Sequence, residues 1–296
     1  MSRILFIGLG NMGAPMARRL ADAGHELAVQ DLDPDRVAAL ASASPRIRAA
    51  APEDRARAEV VVTMLPTSDS VEAALEASGL VGELARGTLV VDMSSAEPVR
   101  SRALADRLGA AGLRALDAPV SGGVRGAEAG TLAIMVGGED ADVDAVAPML
   151  RELGGTIAHV GGHGAGHAAK ALNNLVSAAS VVATAEAIRA ARSFGIASQR
   201  FVEVLNASSG RSVTSEQKAE RFMLSGTFDS GFPVGLMNKD VAIAVGLADA
   251  QGDPVVLGAH VAKIWAATAE RFADADHTRM YELLDRIAVG REEDPR

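Results

Sequence analysis

The chain has 296 residues, enough for one large or two ordinary domains with buried cores. Hydrophobic residues make up 48% and charged residues 23%, a globular composition, and the net charge of −9 comes without any basic block. That balance argues against nucleic acid or an anionic membrane as partner, and the lack of cysteine excludes disulfides and thiolate chemistry and suits a cytoplasmic protein.

Met1-Ser2-Arg3 leads straight into Ile4–Ile7, too short a run for a signal segment or a membrane span. Short β-branched runs then alternate with helical stretches, the pattern of a parallel sheet wrapped by helices. Strands are expected at Ile4–Ile7, Leu27–Gln30, Val60–Met64, Leu89–Asp92, Arg114–Leu116, Leu132–Val136 and Ile157–Val160. Helices are expected at Pro15–Ala23, Pro34–Ala41, Ser70–Ala77, Pro98–Ala110 and Ala141–Leu153, with Pro15 and Pro34 near helix starts, where a missing N–H does no harm. After Gly161 the strand signal disappears, and Ser198–Asn206, Ser215–Met223, Leu236–Ala250, Val255–Phe272 and Thr278–Ile287 all read as helices. The expectation is an α/β dinucleotide-binding domain of Rossmann type over residues 1–162, followed by an all-α domain over 163–296 with a frayed tail at Arg291–Arg296.

The stretch from Gly161 to Ser193 joins the two. Gly161, Gly162, Gly164 and Gly166 supply a Gly-rich loop, and from Ala168 the residues Leu172, Leu175, Val176, Ala179, Val182 and Ala183 make a helical ladder. Its other faces are also largely Ala and Val, so the helix is expected to be buried on most sides. The length would allow a membrane crossing, but Lys170, Asn173, Asn174, Glu186 and Arg189 would then sit in lipid. Lys170 and Asn174 are four residues apart and share a face. An ammonium and an amide on a buried helix cost solvation unless something polar meets them.

Gly8-Leu9-Gly10-Asn11-Met12-Gly13 matches G-x-G-x-x-G between an apolar strand and a helix, the context a dinucleotide site requires. Gly8 permits the tight turn, Gly10 lets backbone approach a pyrophosphate, and Gly13 allows close helix–strand packing. Asp31 ends the second strand about twenty residues on, where an acid holds a ribose diol and repels a 2′-phosphate. NAD is therefore expected, with NADP possible because Arg36 could blunt the repulsion; Asp33 and Asp35 read as solvated or capping residues. Met64-Leu65-Pro66 and Asp92-Met93-Ser94-Ser95 close two further strands at the edge where open α/β sheets bind ligands. Asp117-Ala118-Pro119-Val120-Ser121-Gly122-Gly123 is a strand end entering a turn whose N–H groups, with the Ser121 hydroxyl, suit a carboxylate.

Four separated motifs, the Gly8–Gly13 loop, Asp117–Gly123, Lys170-x-x-Asn173-Asn174 and Lys239-Asp240, together resemble the β-hydroxyacid dehydrogenase family, whose members include 3-hydroxyisobutyrate dehydrogenase and tartronate semialdehyde (2-hydroxy-3-oxopropionate) reductase. The likeness extends through Gly130-Thr131-Leu132 and Ser208–Ser212. By this resemblance Lys170 is the catalytic lysine and Asn174 its substrate-orienting partner. Ser121, Gly122 and Gly123 hold the substrate carboxylate. Leu65, Pro66, Ser70, Ser95 and Lys239 line the cofactor, and Phe232 packs by the nicotinamide. The resemblance implies an NAD-dependent oxidoreductase interconverting a short β-hydroxy acid and its semialdehyde, of 3-hydroxyisobutyrate dehydrogenase type. Tartronate semialdehyde reductase is the nearest alternative, and a non-catalytic NAD-binding module is an alternative of another class.

Elementary chemistry agrees with that assignment. Hydride loss from a primary alcohol also requires loss of the hydroxyl proton, and a lysine whose pKa is lowered by burial and a neighbouring cation can take and return it. Arginine cannot, because a guanidinium does not release its proton. The 6-phosphogluconate dehydrogenases resemble Lys-x-x-His-Asn here, so Asn173 argues against a sugar-phosphate substrate; imine reductases generally lack the lysine. Taken on their own, Lys239 and Asp240 read as a solvated helix pair, and Arg125 and Arg211 as surface ion-pair partners. His159, His163 and His167 read as loop or capping residues, and no metal is expected. A helical domain this apolar is expected to build a homodimer or homotetramer.

Overall fold

In the computed structural model, residues 1–284 are described; the end of the helix expected to reach Ile287 and the tail Arg291–Arg296 lie outside the described residues. The chain separates into two compact units, Met1–Lys170 and Ala171–Arg296.

In the first unit, nine strands among the described residues form one sheet. Strands β1 (Arg3–Ile7), β2 (Glu26–Gln30), β3 (Ile47–Ala49), β4 (Val60–Thr63), β5 (Leu89–Asp92) and β6 (Arg114–Asp117) run parallel in the order β3-β2-β1-β4-β5-β6, the doubly wound order of a dinucleotide-binding sheet. The strands β6 and β7 (Val120–Ser121) both pair antiparallel with β8 (Ala133–Gly137), and β9 (Thr156–Gly161) pairs parallel with β8.

Alternate residues of a strand face opposite sides, and here both sides are covered. Ile4 and Phe6 pack with Met16, Leu20, Val146 and Leu150 from α1 (Gly13–Asp22) and α7 (Asp140–Leu153). Leu5 and Ile7 pack with Val71, Leu75, Leu104 and Leu108, contributed in part by α4 (Ser68–Glu72) and α5 (Pro98–Ala110). Each such fully buried aliphatic or aromatic side chain stabilises the fold by about 1.5–3 kcal/mol. The unexpected elements are short: β3, β7, α3 (Pro52–Arg57) and α6 (Gly123–Ala129) span too few residues to leave a periodic signal. The helix expected over Ser70–Ala77 is α4 followed by one π-helical turn, Ala73–Ala77.

Helix α2 spans Pro34–Ala43, and the regular elements that follow β9 among the described residues are all helical, mainly α8 (Ala165–Phe194), α9 (Ser198–Asn206), a π-helix over Thr214–Leu224, α10 (Val234–Gln251), α11 (Val256–Phe272) and α12 (Met280–Leu283). Trp265 of α11 is fully buried, packed with Val181, Val182, Met237 and Val241. Helix α8 is long and apolar enough to cross a membrane by length and composition. Its Ala178, Val181, Ala185 and Ile188 are instead buried against protein on one face, while Leu172 and Val176 are exposed, so the helix is not buried on most sides as its composition predicts.

Candidate functional site

The glycine loop is built by close packing. Gly8 has φ +99°, its N–H donates to the Gln30 carbonyl at 2.9 Å, and a Cβ there would run into the Met64 carbonyl oxygen. A Cβ on Gly13 would strike the carbonyl of Gly8. Gly10 differs: the nearest atom a Cβ would meet is Arg36 Nη1, at 3.8 Å. Space therefore remains above this residue for a ligand to approach the backbone. Asn11 is exposed and Met12 half-buried. Helix α1 begins behind Met12 with no side-chain cap; the Ala14 N–H donates to the Gly10 carbonyl at 3.1 Å and Pro15 has no N–H, so what this end offers an anion is chiefly the positive pole of the helix. This cradle fits the pyrophosphate of a dinucleotide.

Asp31 closes the neighbouring strand. Its Oδ2 accepts from the Leu9 N–H at 2.6 Å and its Oδ1 from the Asp33 N–H at 2.9 Å, so the acid is fastened to the loop. Asp33 caps α2 through the Asp35 N–H at 3.0 Å and pairs with Arg36 at 3.3 Å.

The carboxyl ends of β4 and β5 lie side by side, Thr63 opposite Asp92. The Thr63 hydroxyl donates to Asp92 Oδ1 at 2.8 Å, the Ser94 N–H to the same oxygen at 3.1 Å, and the Leu65 N–H to Ser94 Oγ at 2.9 Å. This lattice holds Leu65, Pro66 and Ser95 in two adjoining loops, and Ser70 lies in the first turn of α4, where its N–H is capped by Thr67 Oγ1 at 3.2 Å. At the end of β7 the turn passes through Gly122 (φ +136°) and Gly123 (φ +63°), both exposed, beside half-buried Ser121.

Helix α8 starts on a carboxylate. Asp117 Oδ1 accepts from the Gly164 N–H at 2.6 Å and Oδ2 from the His167 N–H at 2.9 Å. One turn on, Lys170 is 8% exposed and Asn174 6%, while Asn173 faces solvent. Asn174 Nδ2 donates to Asp240 Oδ2 at 2.5 Å, and Asn174 Oδ1 accepts from Asn173 Nδ2 at 3.2 Å.

Two places are more buried than their residues taken alone suggest. Lys239 and Asp240 are not a solvated pair: Asp240 is 2% exposed, with Lys239 Nζ 3.4 Å from its Oδ1. Adjacent opposite charges carry no sign of burial, so only the packing of α10 reveals Asp240. His167 is more than a capping residue, since its imidazole is fully buried. His159 bonds the Gly138 carbonyl at 2.9 Å and Asp140 at 3.2 Å, and Arg211 pairs with Glu216 at 3.6 Å. Among the described residues, no cluster of three or more His, Asp or Glu side chains is arranged to hold a metal ion.

In the second unit Phe232 is half-buried in a loop tied down by Asp276 and His277. Asp276 accepts from the Gly231 N–H at 2.8 Å and from the Ser230 hydroxyl at 2.8 Å, and the His277 N–H donates to the Phe232 carbonyl at 2.8 Å. Phe232 meets the His277 ring edge-on at 5.7 Å. Burial works to raise the Asp276 pKa, but the hydrogen bonds from Thr278 and Ser230 outweigh it and hold the acid below its ordinary value. Burial, assisted by the Lys218 ammonium, pushes His277 down to about 4.

The chain matches known families along nearly its whole length. Residues 3–161 match the family described as the NAD binding domain of 6-phosphogluconate dehydrogenase. Residues 164–284 match the family described as the NAD-binding region of NADP-dependent 3-hydroxyisobutyrate dehydrogenase. The chain is 37% identical over 292 residues to a probable 3-hydroxyisobutyrate dehydrogenase of Mycobacterium tuberculosis, covering 96% of this chain and 98% of that one. It is 38% identical over 289 residues to 3-hydroxyisobutyrate dehydrogenase of Pseudomonas aeruginosa, covering 94% and 95%. A solved structure of the M. tuberculosis 3-hydroxyisobutyrate dehydrogenase with L-serine superposes with a TM-score of 0.89 at 36% identity, covering 96% of this chain and 99% of that one. The chain belongs to the β-hydroxyacid dehydrogenase family, NAD(P)-dependent oxidoreductases acting on CH–OH groups.

Proposed function

We propose that the chain oxidises 3-hydroxyisobutyrate to its semialdehyde with NAD, and reduces the semialdehyde in reverse. The observation that carries this reading is the pair of buried polar side chains one turn apart on α8, Lys170 and Asn174, the amide fixed by Asp240. Similarity to the two 3-hydroxyisobutyrate dehydrogenases supports the substrate and does not favour tartronate semialdehyde reductase or a non-catalytic module. L-serine, present in the similar M. tuberculosis structure, is itself a 3-hydroxy acid.

Gly8, Gly10, Asn11, Met12 and Gly13 would hold the pyrophosphate, Asp31 the ribose diol, and Leu65, Pro66, Ser70, Ser95, Phe232 and Lys239 the remainder of the dinucleotide. Held there, NAD would supply the acceptor for hydride from the alcohol carbon, and NADH the donor in reverse. Lys170 takes the hydroxyl proton in oxidation and returns it in reduction, work worth roughly 10²–10⁴-fold in rate. Ser121, Gly122 and Gly123 bind the carboxylate through the hydroxyl and main-chain N–H groups, and Asn174 orients the substrate oxygen. The reading places the protein in the cytoplasm as a homodimer or homotetramer, supported by exposed Leu172 and Val176 on α8.

The test is NAD reduction across a panel of C3–C4 hydroxy acids. The highest kcat/KM is expected on 3-hydroxyisobutyrate. A clear preference for another acid would refute the substrate, and no turnover on any would refute the reading.

A further inference from the structure

His167 is 1% exposed, yet its ring is fully engaged. Nε2 stands 3.1 Å from the main-chain oxygen of Ser94 and Nδ1 2.7 Å from the Ser101 hydroxyl. A carbonyl only accepts, so Nε2 carries a proton and donates to Ser94. The carboxylates of Asp92 and Asp117 flank the ring, 3.8 Å from Nε2 and 3.9 Å from Nδ1. Asp92 accepts from Thr63 and Ser94, Ser94 Oγ accepts from Leu65, and Asp117 caps α8. The helix start lies directly on the strand end: a Cβ on Gly166 would sit 2.7 Å from the Asp117 carbonyl oxygen.

One buried network therefore joins three pieces of backbone: the end of β4 at Leu65, the end of β5 at Ser94, and the first turn of α8. Lys170 follows His167 by three residues, on the next turn. A buried imidazole serving only its own helix would need no partner on another strand. This one reaches the residue immediately before Ser95.

We propose that His167, seated between Asp117 and Ser94, is a positioning residue: it locks the Lys170-bearing turn of α8 to the two strand-end loops assigned to the nucleotide. The inference rests on the functional reading above. Proton transfer and hydride transfer each require correct alignment, and a misplacement of about 1 Å can lower the rate about 10²-fold. Binding of NAD by the glycine loop would survive loosening of the lock, whereas turnover would not.

The experiment compares His167→Ala with His167→Gln, whose amide nitrogen can still donate to the Ser94 carbonyl. In the Ala variant kcat is expected to fall about 10- to 100-fold while the NAD dissociation constant stays near the parent's, and Gln recovers most of the loss. In ligand-free protein, amide hydrogen exchange in the Ala variant is expected to quicken together at residues 94–96 and 164–170. Unchanged turnover per folded molecule, no recovery in Gln, or exchange that quickens only at 164–170 would overturn the proposal. If the parent itself oxidises no hydroxy acid, the functional reading fails, and the exchange data alone decide whether the lock exists.

Discussion

Asn174 and Asp240 are bonded at 2.5 Å, both almost fully buried, so that an amide on α8 is held in one orientation by a carboxylate on α10. The carboxylate accepts from Nδ2 and thereby fixes which end of the amide is nitrogen. Truncation to Asp240→Ala leaves that amide unpaired in a buried setting, at a cost of about 1–3 kcal/mol. The expected result is a fall of roughly 10- to 100-fold in kcat/KM, with Asp240→Asn intermediate because it retains an acceptor oxygen. Steady-state kinetics on refolding-competent protein checks this, and an Ala variant as active as the parent would separate Asp240 from the site.

Replacing Lys170 tests the chemical step itself. Lys170→Ala removes the group proposed to carry the proton and should lower kcat about 10²–10⁴-fold with NAD affinity retained, since the glycine loop is untouched. Lys170→Arg should be nearly as inactive, because it keeps the charge without a releasable proton. An active Arg variant would show that charge alone is sufficient there.

Much of this was legible in the sequence because it depends on local pattern. Ile4–Ile7 alternates between two apolar layers, and Gly8 and Gly13 are letters that packing demands; Lys170 and Asn174 announce a shared face by their spacing. Asp240 and His167 were not legible as site residues. Their roles depend on partners 66 and 73 residues away in the chain, Asn174 and Ser94, and nothing in a neighbouring residue signals such a contact. The short β3, β7, α3 and α6 were missed for a different reason, having too few residues to show a period.

His277 predicts a dependence of stability on pH. Lys218 Nζ lies 3.1 Å from Nε2, and Nδ1 donates to the Phe232 carbonyl at 3.0 Å, so protonation would break the lysine contact and set two cations together. The folded value near 4 lies below the ordinary 6.5. Between these values the unfolded chain binds a proton that the folded chain does not, so this contribution is present above pH 6.5 and is lost as pH falls toward 4. Urea denaturation should show about 2 kcal/mol less stability from this group at pH 5 than at pH 7. His277→Gln should flatten that part of the profile; an identical slope in the variant would assign the loss elsewhere.

The functional reading proposed above assigns the preference for NAD to Asp31. Its two oxygens are occupied by the Leu9 and Asp33 N–H groups, so a substitution risks the loop as well as the charge. Asp31→Asn removes the negative charge and keeps an amide oxygen that can accept from Leu9, at the cost of the contact with the Asp33 N–H. The repulsion of a 2′-phosphate then disappears, and Arg36, whose guanidinium lies near Gly10, is left as the dominant charge. The ratio of kcat/KM for NADP over NAD is expected to rise about tenfold, equivalent to about 1.4 kcal/mol. Should the ratio stay fixed while both cofactors weaken equally, Asp31 would be a brace for the glycine loop and not the residue that selects NAD.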